Sequence, residues 1–295
     1  MGKRDGPGTG VDEGSEPTAS GVTIDALRTA DELRGCVELQ RRIWGAEFSD
    51  VVPASLLQVT QKVGGVAAGA FAAGRRLVGF VYGLTGLREG RPAHWSHMLA
   101  VVPERRSQGI GLRLKSYQRS RVRAIGVEEI FWTFDPLITG NAHFNLNLLG
   151  VEIDSYEADM YGNTGSDLHS LGTDRFIARW DVSGEGGTVG AGAEVPVREE
   201  VGLEGVPLAN AVPGAEDRAG CDPAEAEVTR VRIEIPEDAL RIHREDPELA
   251  RAWRRSTRDA FLTCFREGYR VVGFKRLPEA GRAAYLLERP GGAGV

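Results

Sequence analysis

Cysteine is scarce in this chain: three in 295 residues, at Cys36, Cys221 and Cys264. They are far apart and odd in number, so they spell neither a disulfide framework nor a zinc motif. Cys36 and Cys264 fall in predicted helices, where an isolated cysteine behaves as a small core residue. No apolar run approaches the ~20 residues needed to cross a bilayer as a helix. No lysine- or arginine-rich stripe marks a nucleic-acid face. A Gly-x-x-x-x-Gly-Lys-Ser/Thr run is missing, which removes the Walker type of phosphate loop. Residues 1–20 lack an apolar core and read as neither signal peptide nor anchor. Together these absences predict a protein of the reducing cytoplasm, with no membrane partner and no bound metal.

Acid is present but unevenly spread. The net charge is −6. Residues 183–228 hold ten acids against two bases, and 1–20 carry two further net negative charges, so the remainder is +4. A mildly basic body suits an anionic small molecule and is too weak for nucleic acid. The 183–228 stretch is rich in Gly, Glu, Ala and Pro and poor in aromatics. It can bury too little apolar surface to offset the entropy of ordering, which predicts a disordered linker. The predicted organisation is a disordered 1–20, a main domain over 21–182, the acidic linker over 183–228, and a small α/β unit over 229–290. A unit of that size is marginal alone and is expected to pack on the main domain or a neighbouring sheet.

Periodicity predicts an alternating order in the main domain. Residues 22–27 alternate as a strand. Thr29-Ala30-Asp31-Glu32 is a capping box opening a helix to about Trp44. Residues 53–63 predict a second helix, and 66–73, 76–87 and 93–101 three strands. A helix is expected over 108–124, a strand over 129–134, a short helix over 141–149 ended by Gly150, and strands over 151–161 and 174–180. In the last unit a strand (228–235), one or two helices (236–267) and a hairpin (268–274 with 283–287) follow.

The densest signal is Val101-Val102-Pro103-Glu104-Arg105-Arg106-Ser107-Gln108-Gly109-Ile110-Gly111-Leu112-Arg113-Leu114. A strand ends at Pro103, and a basic, small-residue loop leads into a helix. Glycine permits close backbone approach, and the first helical turn offers free N–H groups with partial positive charge. Such a junction is a diphosphate cradle. It is not a complete dinucleotide fingerprint, because Leu114 stands where the third glycine belongs.

The Arg106-x-x-Gly109-x-Gly111 pattern after Val101-x-Pro103 resembles the acyl-coenzyme A signature of the GNAT N-acyltransferase superfamily. The β-α-α-β-β-β-α-β-α-β-β order expected over about 22–182 is similar to that family as well. The resemblance implies an α+β fold, with a mixed, mostly antiparallel central sheet and flanking helices, plus the small C-terminal α/β unit. Trp95-Ser96-His97-Met98-Leu99, Trp132 to Leu137, Asn141 to Asn145 and Thr173 to Phe176 resemble one branch with a C-terminal extension. That branch includes enzymes found with N-acylamino-acid racemases and assigned to N-succinylation of amino acids.

What the resemblance implies is an acyltransferase using acetyl-CoA or another acyl-CoA such as succinyl-CoA, and a small amine as acceptor. A homodimer is compatible with it. The alternative is a non-catalytic acyl-CoA-binding protein of the same fold. The backbone of Leu99 and Val101 is expected to face the pantetheine, with the Leu99 N–H as oxyanion donor. Residues Arg106, Ser107, Gln108, Gly109, Ile110, Gly111, Leu112 and Arg113 are expected around the diphosphate. His97, two residues from Leu99, is expected on the same strand face, as base or substrate contact. Asn141 is either a coenzyme contact or a helix cap. Asn145 shares its helix face. Asp135 is either a turn former before Pro136 or a partner for the acceptor ammonium. Arg175 is the first candidate for a substrate carboxylate. Where many members carry a tyrosine as acid for the departing thiolate, counting back from Gly150 gives Leu146. Tyr156 and Tyr161 are the alternatives.

Overall fold

The computed structural model describes residues 21–46, 48–162, 171–184, 201–214, 220, 221, 223 and 228–289. Residues 1–20 and most of the predicted linker lie outside them.

The order is β1 (Thr23–Ala26), α1 (Ala30–Trp44), α2 (Ala54–Lys62), β2 (Val66–Ala72), β3 (Arg76–Arg88), β4 (Arg91–Val101), α3 (Ile110–Arg123), β5 (Glu129–Phe134), α4 (Thr139–Ala142), β6 (Glu152–Glu157) and β7 (Arg175–Asp181). This is the α+β order expected from sequence. The capping box forms as read: Thr29 accepts from the Glu32 N–H, and the Glu32 carboxylate accepts from the Thr29 N–H. The seven strands lie β1-β2-β3-β4-β5-β7-β6 in one sheet. Only the β4–β5 pair is parallel. β3 and β4 form a longer hairpin than predicted. Glu89 and Gly90, both with positive φ, make the two-residue turn that suits strand twist.

The C-terminal part comprises β8 (Arg230–Pro236), α5 (Ala239–Glu245), α6 (Pro247–Arg266), β9 (Arg270–Leu277) and β10 (Arg282–Glu288). Its sheet runs β8-β10-β9. It shares a core with the main sheet. Phe261 of α6 lies 4.8 Å from Phe176 of β7 and 5.4 Å from Tyr156 of β6, ring to ring. Tyr285 of β10 donates to the Pro136 carbonyl at 2.7 Å. No described helix is long and apolar enough to cross a membrane.

The expectation of a disordered linker fails over 201–214. Ala209 N–H donates to the Arg232 carbonyl and Arg232 N–H to Pro207, both at 2.8 Å, so this segment covers the open edge of β8. The Asn210 amide mimics a strand partner, exchanging hydrogen bonds of 2.9 Å with Glu234 backbone groups. Val206, Ala209 and Val212 are buried. A bulk composition of Gly, Glu and Pro hid these apolar residues, each three apart.

An ion cluster joins α6 to the main sheet. Arg254 donates to the Asp135 carboxylate at 2.6 Å and to the Leu171 carbonyl at 2.6 Å. Arg258 grips Asp159 and the fully buried Asp174. Removing one partner of a buried pair strands the other's charge, at about 3–5 kcal/mol. Arg254→Met should therefore destabilise the fold by that order. Urea unfolding monitored by fluorescence measures it, and a loss under ~1 kcal/mol would place the cluster with surface pairs.

Candidate active site

The glycine loop folds as the motif requires. After a short 3-10 turn at Pro103–Arg105, Arg106 is extended, and Ser107 and Gly109 take φ of 58° and 74°. Gly109 caps α3, and the first helical bond runs from Arg113 N–H to Gly109 at 3.1 Å. The N–H groups of Ile110, Gly111 and Leu112 precede that bond and have no partner within the helix. Arg106, Ser107, Gln108 and Gly109 are exposed. The Arg106 Nε donates to the Val101 carbonyl at 3.2 Å, which holds the loop against the end of β4. Arg113 is turned away: its guanidinium donates to the Val22 carbonyl at 2.8 Å, so the side chain ties α3 to the β1 segment.

Beside this loop the sheet opens. β4 and β5 pair only at His94↔Ile130 and Trp95↔Phe131, and the rest of β4, to Val101, has no ladder on that side. Val102 N–H bonds to Val78 of the β3 segment. Backbone direction alternates along a strand, so the N–H and C=O of Leu99 and Val101 point away from β3 and into the parted strands. The Leu99 side chain reaches the α3 side, with its Cδ2 4.0 Å from where a Cβ on Gly111 would sit.

His97 is not on that face. Tyr82 pairs with Met98 and Gly83 with Ser96, so His97 is the extra residue of a β-bulge. An inserted residue breaks the period of two and reverses side-chain parity beyond it. Ser96 faces α3, where it accepts from Lys115. The His97 ring instead meets Tyr82 edge-on at 6.0 Å, and Tyr82 bonds to Thr60 of α2. His97 and Leu99 therefore lie on opposite faces, which corrects the expectation from simple alternation. Gly83 makes the bulge feasible: a Cβ there would fall 2.7 Å from the Trp95 carbonyl and 2.3 Å from His94. His97 stays exposed. Desolvation by its neighbours pushes its pKa below the ordinary imidazole value, against the pull of the Asp50 carboxylate, so it is neutral at pH 7.

Beneath β4 on the α3 side lies a closed polar chain. His94 Nδ1 lies 2.8 Å from Thr85 Oγ1, and Thr85 donates to the Gly64 carbonyl. The Gln118 amide meets His94 Nε2 at 3.0 Å, and Lys115 Nζ donates to Gln118 Oε1 at 3.4 Å and Ser96 Oγ at 2.8 Å. Burial, with Lys115 adding to it, pushes His94 down to about 3, so it is a neutral structural residue.

Three further candidates are engaged elsewhere. Asn145 is buried and accepts from the Trp132 indole at 3.0 Å. Asp135 is the partner of Arg254, and its other oxygen accepts from the Leu137 N–H at 2.8 Å, the turn-forming role. Arg175 is buried, donates to the Asp174 carbonyl at 2.8 Å and lies 3.8 Å from Asp135. Neither Asn145 nor this pair is presented free to a substrate: Trp132 engages Asn145, Asp174 and Asp135 engage Arg175, and Arg254 of the C-terminal unit engages Asp135. Asn141 is exposed but does not cap: α4 begins at Thr139, with Ile138 in the cap position.

The short helix also differs in its winding. It turns as a π-helix over His143–Leu148. Leu146 is buried, whereas the Phe144 ring flanks the cleft, 3.6 Å from a Cβ on Gly111. Tyr156 is locked to Asp174, and burial with that carboxylate raises its pKa. Tyr161 is exposed and lies 3.0 Å from Thr133 Oγ1. Phe144, beside the glycine loop, and Lys115, in the buried layer beneath β4, are residues that sequence reading did not single out. Lys115 had one visible signal: it interrupts the buried face of α3 between Leu112 and Val122. A surface groove of about 660 Å³ lies between α1 and the loop before α2, lined by Val37, Phe48, Val51 and Pro53. It includes none of the residues above.

No protein-family model matches this chain, and no curated protein matches its sequence. Among solved structures, it is similar to the ribosomal-protein-S18-alanine N-acetyltransferase of Escherichia coli. That match has 16% identity and a TM-score of 0.43 over 56% of this chain and 97% of the other. An aminoglycoside 6′-N-acetyltransferase complexed with coenzyme A matches at 17% identity and a TM-score of 0.41, over 55% and 96% of the two chains. The NatC complex bound to Gag peptide and CoA matches at 14% and 0.43, over 54% and 98%.

Proposed function

We propose that this chain is an acyl-coenzyme A-dependent N-acyltransferase that moves an acetyl or succinyl group to a small amine, with amino acids the first acceptors to try. One observation carries the reading: the β4–β5 ladder stops at Trp95, beside a glycine loop whose helix N-terminus has free N–H groups. A parted strand pair exposes backbone donors to an extended pantetheine arm, while the helix N-terminus receives a diphosphate. Both features serve one elongated, anionic thioester. Ser107 to Leu112 supply the diphosphate contacts through their backbone, with Arg106 alongside. Asn141, exposed on α4, is available to the same molecule.

Direct attack suffices. The amine lone pair adds to the thioester carbonyl carbon, and the developing oxyanion takes the Leu99 N–H. The ammonium proton passes to His97, directly or through water. Collapse breaks the C–S bond, and the thiolate takes its proton from solvent, since Leu146 offers no hydroxyl. The acceptor approaches from the α2 face, because α3 covers the other. Thr133 on β5 and Tyr161, in the turn after β6, are candidates for acceptor contacts.

A second reading, binding without turnover, is favoured by Leu146, a buried apolar side chain, standing where many members of the family carry the acid. A thiol-release assay over a panel of acyl donors and amino acids, run beside coenzyme A binding by calorimetry, separates them. Thiol release dependent on an added amine supports the transferase. Tight binding with no release from any pair makes the chain a binding protein.

A further inference from the structure

A basic pair links the C-terminal unit to the mouth of the cleft. Two hydrogen bonds dock that unit on the short helix. Thr139 Oγ1 of α4 donates to the Pro236 carbonyl at 3.1 Å, and the Asn147 amide, in the π segment, donates to the Phe274 carbonyl at 3.2 Å. β9 is the outer strand of its sheet, and its free edge lies along the π segment. Pro236 and Leu277 both pair with Arg282, so the ends of β8 and β9 come together beside the start of α4. From Asn147 back to His143 is about one turn, roughly 6 Å. From Phe274 on to Arg276 is two strand residues, roughly 7 Å. His143 and Arg276 accordingly stand at one level. Burial lowers the His143 pKa, and the Arg276 charge adds to it, as a neighbouring cation does. Arg276 meets Glu237 through Nε at 3.5 Å. Among the described residues, the two terminal nitrogens of Arg276 and the His143 ring meet no acceptor.

The pair stands where an anion would leave the glycine loop. His143 precedes Phe144, whose ring lies 3.6 Å from a Cβ on Gly111. The short helix is therefore the wall of the mouth opposite the loop, and His143 and Arg276 are on its outer side. The arginines of the loop wall are committed: Arg105 to Gln108, Arg106 to the Val101 carbonyl and Arg113 to the Val22 carbonyl. A diphosphate on the first turn of α3 leaves the rest of its nucleotide at the mouth. In coenzyme A the ribose there carries a phosphate monoester on its 3′-oxygen. Five bonds separate that phosphorus from the 5′-oxygen, a span of about 6 Å at ~1.5 Å per bond. A monoester holds a charge of about −1.5 to −2 at pH 7 on three acceptor oxygens. A guanidinium fork matches that geometry. The Glu237 pair does not compete strongly, because its side chains are 49% and 35% exposed. It fixes the guanidinium through Nε and leaves both terminal nitrogens to the ligand.

We infer that His143 and Arg276 form a phosphate subsite, built jointly by the short helix and the C-terminal unit, for the 3′-phosphate of coenzyme A. The inference rests on the proposed acyl-CoA site and gives the C-terminal unit a part in it. Arg276 supplies the charge, and the neutral imidazole of His143 supplies one N–H. Calorimetry compares coenzyme A with 3′-dephospho-coenzyme A, which lacks that phosphate alone. Wild-type protein is expected to bind coenzyme A about 10-fold tighter, the worth of one charge-assisted hydrogen bond. The preference should shrink as salt is raised, because the pair is open to solvent. Arg276→Gln should remove most of the preference while leaving dephospho-coenzyme A affinity within about 2-fold, since the ion pair it breaks is a surface one. Arg105→Gln, on the opposite wall, should leave the ratio of the two affinities unchanged. Equal wild-type affinity for the two ligands overturns the subsite. An equal loss for both in Arg276→Gln makes the arginine structural and overturns it as well. Loss of the preference in Arg105→Gln, with Arg276→Gln unaffected, puts the phosphate on the loop wall instead. Failure of both ligands to bind wild-type protein sinks the underlying site, and the subsite with it.

Discussion

Gly111→Val should abolish coenzyme A binding while the protein stays folded. Gly111 has an ordinary helical backbone, so a side chain there adds no conformational strain. A Cβ at this position points between the Phe144 ring, at 3.6 Å, and Leu99 Cδ2, at 4.0 Å, which are ordinary contacts. The two γ-methyls of valine extend beyond it, into the gap between α3 and the unpaired stretch of β4 around Leu99. The expected loss in affinity is on the order of 100-fold or more, as for two charge-assisted hydrogen bonds to a diphosphate. Gly109→Val should lose binding too, but for a different reason. Gly109 holds φ at 74°, a conformation a β-branched residue resists at about 1–3 kcal/mol. Its effect therefore includes a drop in melting temperature, and Gly111→Val is the cleaner probe. Calorimetry with coenzyme A, beside a thermal melt, reads both. Unchanged affinity in a folded Gly111→Val protein removes the cradle assignment.

The fold was legible because most of its elements depend on local pattern. The Thr29 box, strands β2 to β5 and the glycine loop all formed within a few residues of where the sequence pattern placed them. The site was legible only in part, for three physical reasons. Alternation along β4 predicts faces only while the ladder is regular, and the extra residue at His97 is set by its pairing with β3. Counting along a helix assumes 3.6 residues per turn, which the π segment at His143–Leu148 breaks. Charged residues such as Asp135 and Arg175 look available until their partners are known. Arg254, which engages Asp135, is 119 residues away in the chain. Only the glycine loop, a local backbone feature, needed no such distant information.

The bulge changes what His97 can do, and it makes the histidine prediction sharper. On a regular strand His97 would share the Leu99 side of the sheet and be covered by α3. The extra residue turns it to the α2 face, where it stays exposed beside Tyr82. Leu99 still offers its N–H in the plane of the parted strands. A carbonyl held there is open to attack only from the uncovered face, and that is where the imidazole stands. An acceptor α-amine with a pKa of about 8 is mostly protonated at pH 7, so a proton must leave before or during attack. A neutral imidazole is ready to take it, and a positioned base contributes about 10²–10⁴-fold. His97→Ala and His97→Gln should both lose turnover by that order, with coenzyme A affinity unchanged. The pH profile supplies the second readout. His97 has its pKa lowered, so it stays neutral as pH falls past the ordinary imidazole value, and activity is lost only below it. The acidic limb of kcat against pH should therefore lie below about 6.5, the unperturbed value. In His97→Gln that limb should vanish from the residual activity. A glutamine variant that keeps near-wild-type turnover beside a dead alanine variant makes His97 a positioning residue. Near-wild-type turnover in both, with acceptor saturating, removes it from the chemistry.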